Sequence, residues 1–211
     1  MRSARPSAVR VSPNVSSNPP TVTKTVRRMQ RDGLVLFSDE SKKLTLSPTG
    51  FSAAVRVMRK HRIAEVFLER VVGLEWHLLH EEACRWEHVM SERVTSLMDD
   101  LTGHPARSPY GNPIPPADPA DWDFTADMLR VHTLAEVTAS ANHELEAVID
   151  RIGETVQTAP AVLAGLRDAG VVPGARVFAT AHHRTVLVHA SDPANSMELT
   201  ATVAGQLFVR S

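Results

Sequence analysis

The spacing of apolar residues predicts helices in the first half of the chain. Val22, Val26 and Met29 recur with helical spacing just before the turn sequence DG, which predicts a short helix. The sequence PTG then opens a longer periodic stretch that runs to about Gly73. The helical pattern continues through HEEACRWEHVM and SERVTSLMDDL, residues 80–101. We therefore predict four successive helices in this half.

Alternating or continuous apolar runs predict strands. LVLF and KLTLS flank the polar turn SDESKK, which predicts a two-stranded hairpin directly after the first helix. A basic helix followed by a hairpin is the order found in winged helix-turn-helix proteins. Beyond residue 128 the short runs MLRVHTL, ARVFATA, RTVLVHA and GQLFVR are separated by turn residues, with APAVLAGLRDAGV as one helical insert. These features predict a small β-barrel domain.

Composition divides the chain into regions. Residues 1–17 are rich in Ser, Pro and Arg without periodicity, and we expect disorder there. Residues 104–127 contain six prolines within HPARSPYGNPIPPADPADW, which predicts a proline-rich linker. The prediction is an α+β chain, with part of a winged helix-turn-helix region at 18–50, a helical domain at 51–103 and the β-barrel domain at 128–211.

Charge is distributed unevenly along the chain. Residues 1–62 hold 13 Lys and Arg against 3 Asp and Glu, whereas the remainder holds 10 against 21. A basic front on an acidic body indicates a polyanionic partner, most commonly nucleic acid, and a basic disordered tail is the alternative. No apolar stretch approaches the roughly 20 residues that span a bilayer, and the first residues lack the apolar region of a secretion signal. We expect a cytoplasmic protein without a membrane partner.

The richest cluster of candidate ligands surrounds the chain's one cysteine. If HEEACRWEHVM forms a single helix, four potential ligands share one arc of its surface: His80, Cys84, Glu87 and His88. The preceding helix offers His61 and Glu65 one turn apart, and facing helices can enclose an ion. Thiol, imidazole and carboxylate together suit Fe(II), Co(II), Ni(II) or Zn(II) better than Mg(II) or Ca(II). A salt-bridged surface with a buried cysteine is the alternative.

An enzymatic use of the same groups is a further alternative. A hydrolase would use a metal-bound water with Glu87 as its base. The sequence contains neither a glycine-rich phosphate signature nor a Ser, His and Asp signature of nucleophilic catalysis. We therefore expect a protein that is not an enzyme and has no small-molecule substrate.

Five ordered sequence blocks resemble those of the diphtheria toxin repressor and iron-dependent regulator family of metal-activated repressors. The blocks are PPTVTKTVRRMQRDGLV, SPTG, MRKHRIAE, HEEACRWEHVMSE and SPYGNPIP, over about residues 18–116. RIGETVQ and LRDAGVVPGARV are similar, more weakly, to the SH3-like barrel of the same regulators. The resemblance implies a repressor of iron uptake and homeostasis genes that acts as a homodimer on a palindromic site in double-stranded DNA.

The resemblance also implies two metal sites and an anion site. The primary site maps to Cys84, Glu87 and His88. The ancillary site maps to His61, Glu65 and His80, completed by Glu154 and Gln157 of the last domain. The anion maps to Arg62, Ser108 and Asn112. A cysteine in the primary site marks the iron-responsive branch, so Fe(II) is the expected ion, with Mn(II), Co(II), Ni(II) or Zn(II) as substitutes. A manganese-responsive regulator is the alternative.

The segment from Thr21 to Arg31 resembles the family's recognition helix. The implied DNA contacts fall on Asn18, Pro20, Thr21 and Lys24, with Arg28 and Arg31 near phosphates. Lys24 stands where the iron repressors usually have glutamine, and lysine favours guanine where glutamine favours adenine.

The chain departs from the family before this helix. The family has two helices there, one of which supplies a Met ligand to the primary site, but only about 20 irregular residues precede the recognition helix here. Two expectations stay open. Either the start lies upstream, or this is a divergent, metal-binding dimer that binds DNA weakly. Without a supporting helix, we expect Val22, Val26 and Met29 to be partly uncovered in this chain.

Overall fold

The computed structural model describes residues 19–41, 43–123, 131–141 and 143–210. The chain divides into two compact units, residues 1–56 and 57–211, and each is described by itself. The finer division made from composition stays a prediction.

Within the described residues, no helix is both long enough and apolar enough to cross a membrane.

The first unit contains the predicted basic helix and hairpin. Helix α1 is Pro19–Arg31, strand β1 is Val35–Ser38 and strand β2 is Lys43–Leu46. The strands pair antiparallel. Between helix and strand, Gly33 adopts a positive φ of 70°, a conformation that costs glycine little. The helix, the turn and the hairpin predicted from the sequence are confirmed.

The SPTG sequence joins this hairpin to the next helix. Helix α2 is Pro48–Phe67, and the boundary between the two units falls inside it. Ser47 precedes its first residue: its hydroxyl accepts from Gly50 N at 2.9 Å and donates to Gly33 O at 2.6 Å. A Cβ on Gly50 would lie 1.9 Å from Leu34 O, so only glycine fits there.

Apolar residues of the first unit are incompletely covered. Val22 is 45% exposed, and Val26 and Met29 are half-buried, as expected. Phe37 and Leu44 face each other across the hairpin and are also exposed. One helix and two strands bury too little surface to enclose a core.

The helical part of the second unit begins with the end of α2. A π-helical turn, Leu68–Val72, ends at Gly73. A 3₁₀ turn, Trp76–Leu78, leads into helix α3, Leu79–Trp86. Helix α4 is Glu92–Leu101, and the Ser91 hydroxyl caps it by accepting from Val94 N.

Helix α3 ends earlier than predicted. The sequence pattern extended it through Met90, but the NH groups of Val89 and Met90 both donate to Trp86 O and close a turn. Ser91 then starts the next helix as its cap. Glu87 caps α3 with helical backbone angles, and its NH donates to Ala83 O at 2.9 Å, so it continues the helix that carries Cys84. His88 lies in the turn that follows.

The rest of the second unit is built on an antiparallel sheet of six strands. The strands, in chain order, are β3 His132–Thr133, β4 Leu145–Ile152, β5 Arg176–His182, β6 Thr185–His189, β7 Met197–Thr200 and β8 Leu207–Arg210. Short helices connect them: α5 Leu134–Ser140, α6 Glu154–Gln157, α7 Pro160–Asp168 and α8 Ala201–Ala204. The fold is thus a mixed helix and sheet fold.

The strand order is β3-β8-β4-β5-β6-β7. Strands β3 and β7 are its two edges, and they do not pair with each other within the described residues. The closed barrel expected from the sequence is therefore absent from this part of the chain, although the predicted runs do form β3, β5, β6 and β8. Alternate residues of the sheet and one face of α7 form the core, including Ile149, Val177, Val188, Leu207, Leu163 and Leu166.

The proline-rich segment is packed rather than free. Tyr110 is fully buried: its hydroxyl donates to Trp76 O at 2.6 Å and accepts from His80 N at 3.3 Å. On the other side, Ile152 N donates to Tyr110 O at 2.9 Å. Ile114 packs against Ile63 and Val66 of α2. Composition indicated a linker, and these contacts pack Tyr110 and Ile114 of that segment into the second unit.

We expect Tyr110→Phe to lower the free energy of unfolding by about 1–3 kcal/mol, because it removes two buried hydrogen bonds and keeps the ring. Urea unfolding followed by circular dichroism measures the change. Ser140→Ala, which removes an exposed hydroxyl, is the control and should shift stability by less than about 0.5 kcal/mol. Equal stability of Tyr110→Phe and the parent chain would contradict the proposed role of the hydroxyl.

Candidate metal centre

Helices α2 and α3 bring four potential ligands together. His61 and Glu65 lie one turn apart on α2, and His61 Nε2 is 2.7 Å from Glu65 Oε1. His80 and Cys84 lie one turn apart on α3, with His80 Nε2 3.6 Å from Cys84 Sγ. The two pairs meet because His61 Nε2 is 3.0 Å from His80 Nδ1. The i and i+4 spacing on each helix therefore does place these side chains at one point, as predicted.

Glu87 and His88 approach this cluster from the turn after α3. Glu87 Oε2 is 2.8 Å from His61 Nδ1, so Glu87 contacts a residue of the other predicted site. Its second oxygen lies 3.2 Å from His88 Nε2, and the His88 side chain is 70% exposed. Glu87 thus joins the cluster, and His88 lies at its solvent edge.

The buried carboxylate of Glu65 dominates the electrostatics. Burial raises the pKa of Glu65, but hydrogen bonds from His61 and His80 outweigh burial and hold the pKa below its ordinary value. Burial likewise lowers the pKa of His61, but the hydrogen bonds and charges of Glu65 and Glu87 outweigh it and raise the pKa. Each ring nitrogen of His61 thus faces a carboxylate, Glu65 on one side and Glu87 on the other.

The thiol of Cys84 is in an environment that disfavours the thiolate. Burial and the negative charges of Glu87 and Glu65, in that order, raise its pKa. A cation at this point would reverse that preference, because metal coordination deprotonates a thiol.

The donor set fits a divalent transition metal. Thiol, imidazole and carboxylate groups from α2, α3 and the following turn converge here, and such mixed donors suit Fe(II), Co(II), Ni(II) and Zn(II). Within the part of the chain that the structure describes, His61, His80 and Cys84 each offer a ligand atom within 4.8 Å of the others.

The two ligands expected from the last domain have other partners. Glu154 Oε1 accepts from Arg62 Nη2 at 2.8 Å. Gln157 is buried, and its Nε2 donates to Ile152 O at 2.6 Å. Glu154 therefore lies beside Arg62, the chain neighbour of His61, whereas the side chain of Gln157 is bound to the backbone of Ile152.

The three predicted anion ligands are buried but differently engaged. Arg62 donates to Pro113 O at 2.6 Å as well as to Glu154. Asn112 Nδ2 donates to Ile152 O at 2.9 Å, and Ser108 Oγ accepts from Tyr110 N at 3.3 Å. Arg62 and Asn112 line a cavity of about 290 Å³ with Trp122, Arg151 and Phe208 among its other walls, and Ser108 is not one of its lining residues.

Two supporting contacts were not predicted from the sequence. Tyr110 holds the backbone of His80, and Arg62 pairs with Glu154. Tyr110 belongs to the SPYGNPIP block, so the sequence held a signal for the first contact, although the prolines of that block indicated a linker. The second joins residues 92 positions apart, and no local pattern marks it.

The predicted DNA-binding residues lie on or next to α1. Lys24, Arg28 and Arg31 are exposed, and their spacing places them on one face of the helix, opposite the apolar residues. Pro20 and Thr21 belong to its first turn. Asn18 lies outside the described residues.

The pair of His61 and Glu65 predicts a pH window for the stability of the metal-free protein. The pKa of His61 is raised above 6.5, so its contribution is fully present below pH 6.5 and is lost as the pH rises through the raised pKa. The pKa of Glu65 is lowered below 4.5, so its contribution is present above pH 4.5 and is lost as the pH falls through the lowered pKa. In the presence of a metal chelator, we expect His61→Gln to lower the stability most between the lowered pKa of Glu65 and the raised pKa of His61.

Differential scanning calorimetry between pH 4 and 9 measures this window as the difference in melting temperature between the variant and the parent chain. His132→Gln, at an exposed histidine, is the matched control. A difference that does not change with pH would contradict the ion pair.

The chain is similar to known proteins over most of its length. Residues 47–116 match the family model described as "Iron dependent repressor, metal binding and dimerisation domain". The iron-dependent repressor IdeR of Mycobacterium tuberculosis is 40% identical over 177 residues, which are 82% of this chain and 74% of the relative. The diphtheria toxin repressor of Corynebacterium glutamicum is 38% identical over 185 residues, 87% of this chain and 80% of the relative.

Solved structures show the same fold. A T. acidophilum IdeR structure superimposes with a TM-score of 0.69 at 26% identity, covering 90% of this chain and 82% of the other. A manganese-dependent transcriptional repressor in complex with manganese gives a TM-score of 0.70 at 24% identity, covering 92% and 85%. Because the sequence identity to IdeR extends over most of both chains, the protein belongs to the family of iron-dependent repressors that includes IdeR and the diphtheria toxin repressor.

Proposed function

We propose that this protein is an Fe(II)-dependent transcriptional repressor of iron uptake and homeostasis genes, which binds a palindromic operator as a homodimer. The convergence of His61, Glu65, His80, Cys84 and Glu87 between α2 and α3 carries the proposal. One relative is named as an iron-dependent repressor and the other as a diphtheria toxin repressor, which supports a regulatory rather than an enzymatic role.

In this proposal the ligands divide into two sets. Cys84, Glu87 and His88 form one, and His61, Glu65 and His80 form the other, with Glu154 and Gln157 completing the second and Arg62, Ser108 and Asn112 holding an anion. A bound ion supplies the positive charge that holds a thiolate and carboxylates from separate elements together. The contact between Glu87 and His61 supports coupling between the sets, because it joins one member of each. The thiol favours Fe(II) over Mn(II).

The DNA-binding surface in this proposal is the basic face of α1. Lys24, Arg28 and Arg31 are exposed side by side, and lysine and arginine at such positions bind phosphates or base edges. Asn18, Pro20 and Thr21 would contribute at the start of the helix. The α1 helix and hairpin are then the recognition helix and wing of a partial winged helix-turn-helix.

The second copy in this proposal docks on α4. Val94, Leu97 and Leu101 recur on one face of α4 and are all exposed, and Val89 in the preceding turn is also exposed. The opposite face carries the buried Thr95. An exposed apolar row of this kind indicates a protein interface, and the description of the matching family model includes dimerisation.

A metal-binding dimer without efficient DNA binding is the second candidate. The incomplete cover of Val22, Phe37 and Leu44 favours it, since a recognition helix needs a rigid support. Such a chain would bind metal and dimerise but retain no DNA.

Metal and DNA should strengthen each other's binding. We expect anaerobic Fe(II) to raise DNA affinity over chelator, measured by fluorescence anisotropy with a palindromic site selected from random DNA. Arg28→Ala should weaken binding and reduce the salt slope by about 1, whereas Arg184→Ala, at an exposed arginine between β5 and β6, should not. Equal affinity for DNA in the presence of chelator and of Fe(II) would contradict a metal-dependent mechanism. Metal binding with no salt-sensitive DNA retention would support the second candidate.

Charge on the apolar face of α4 should prevent dimerisation. Leu97 is 50% exposed, and we expect Leu97→Glu to weaken dimerisation by about tenfold or more, because two unpaired carboxylates would be buried at a symmetric interface. Sedimentation equilibrium measures the change. Leu187→Glu, at a comparably exposed leucine of β6, is the matched control. A dimer unaffected by Leu97→Glu would place the interface elsewhere.

A further inference from the structure

Two residues of the SPTG sequence are the most enclosed part of the first unit. Of the described residues between positions 22 and 51, only Ser47 and Gly50 are buried. A serine and a glycine provide almost no apolar side-chain surface, so the hydrophobic effect contributes little at this point. Hydrogen bonds must therefore hold the elements of the first unit together here.

The side chain of Ser47 joins the turn after α1 to the start of α2. Its hydroxyl donates to Gly33 O at 2.6 Å and accepts from Gly50 N at 2.9 Å, so it acts as donor and acceptor at once. The Ser47 side chain lies within a residue that is only 6% exposed. Water is therefore poorly placed to replace either bond if the hydroxyl is removed.

Leu34 connects this point to α1 and to the first strand. Its NH donates to Met29 O at 2.8 Å, which closes the end of α1, and its carbonyl accepts from Ser47 N at 3.0 Å. Gly50 packs so closely against the same carbonyl that no larger residue fits. The end of α1, the start of β1 and the start of α2 thus meet around Ser47 and Gly50.

Helix α2 extends away from this point without interruption. Phe51 N donates to Ser47 O at 2.8 Å in the first turn, and the helix continues to Phe67. His61 and Glu65 of the candidate metal centre lie on its later turns. A rigid secondary element of this kind can carry coupling between two sites.

We propose that Ser47 is a positioning residue for DNA binding: its hydroxyl fixes α1 to the start of α2, so that α1 follows α2 when metal binds. The inference rests on the proposed function, in which metal and DNA strengthen each other's binding. Without the hydroxyl, Gly33 O and Gly50 N lose their partner, and α1 adopts several orientations whether or not metal is bound. DNA affinity then falls with the fraction of chains in the competent orientation. The loss falls on the metal-bound state, because only that state held α1 in the competent orientation.

The ratio of DNA affinities in Fe(II) and in chelator tests this role. Fluorescence anisotropy with the selected palindromic site measures both affinities anaerobically on the full chain. The variants are Ser47→Ala and Ser47→Thr, of which the second keeps a hydroxyl. Ser41→Ala, at an exposed serine of the hairpin, is the matched control. Equilibrium dialysis measures metal binding without DNA, and thermal melts identify any variant that fails to fold.

Ser47→Ala should lower DNA affinity in Fe(II) by about tenfold and change the affinity in chelator by less than about twofold, so that the ratio falls. Metal binding without DNA should be unchanged, and Ser47→Thr should restore the ratio. Arg28→Ala removes a DNA contact in both states and should leave the ratio unchanged. A loss of stability alone would weaken DNA binding at least as much in chelator as in Fe(II), because bound metal stabilises the folded state.

Hydrogen exchange followed by mass spectrometry tests the connection without DNA. In the metal-free chain, Ser47→Ala should speed exchange in peptides covering residues 32–51 by about tenfold, and Ser41→Ala should not. Unchanged exchange in Ser47→Ala would overturn the proposal. So would a Ser47→Thr chain that behaves like Ser47→Ala, or an unchanged ratio of DNA affinities in Ser47→Ala. A ratio of one in the parent chain would instead contradict the repressor function, and the exchange result would still decide the role of Ser47.

Discussion

The burial of one carboxylate constrains the arrangement of the second unit. Glu65 is 1% exposed, and a charge removed from water in this way must be compensated by hydrogen bonds or an opposite charge. His61 provides one such partner from the same helix, and His80 provides the other from α3. The two helices must therefore meet at this point, and Tyr110 holds the start of α3 in place through the backbone of His80. The same convergence that satisfies Glu65 assembles the candidate metal ligands.

The sequence predicted the parts of this arrangement that depend on local order. Helix α1, the hairpin, α4 and α7 follow from periodicity, turn residues and caps, which act within a few residues. The pairing of His61 with Glu65 and of His80 with Cys84 was also predictable, because side chains at positions i and i+4 of a helix lie on the same face.

Contacts between distant residues were not predictable in the same way. Tyr110 stands in a proline-rich sequence whose composition indicates a linker. Yet its ring packs against Trp76, its hydroxyl contacts the backbone of α3 and its carbonyl contacts β4. Arg62 and Glu154 are separated by 92 positions. The end of α3 depends on a competition between one more helical turn and the cap that Ser91 provides for α4. Helix boundaries of this kind are the least certain part of a sequence prediction. The open edges of the sheet likewise depend on strand pairing over long distances.

The early end of α3 divides the potential ligands between the helix and the residues that follow it. His80 and Cys84 lie within α3, whereas Glu87 caps it and His88 lies in the turn that follows. That turn leads directly into α4, which begins at Glu92 behind its Ser91 cap. A change in the position of Glu87 or His88 would therefore reach the start of the helix that carries the exposed leucines within a few residues of chain.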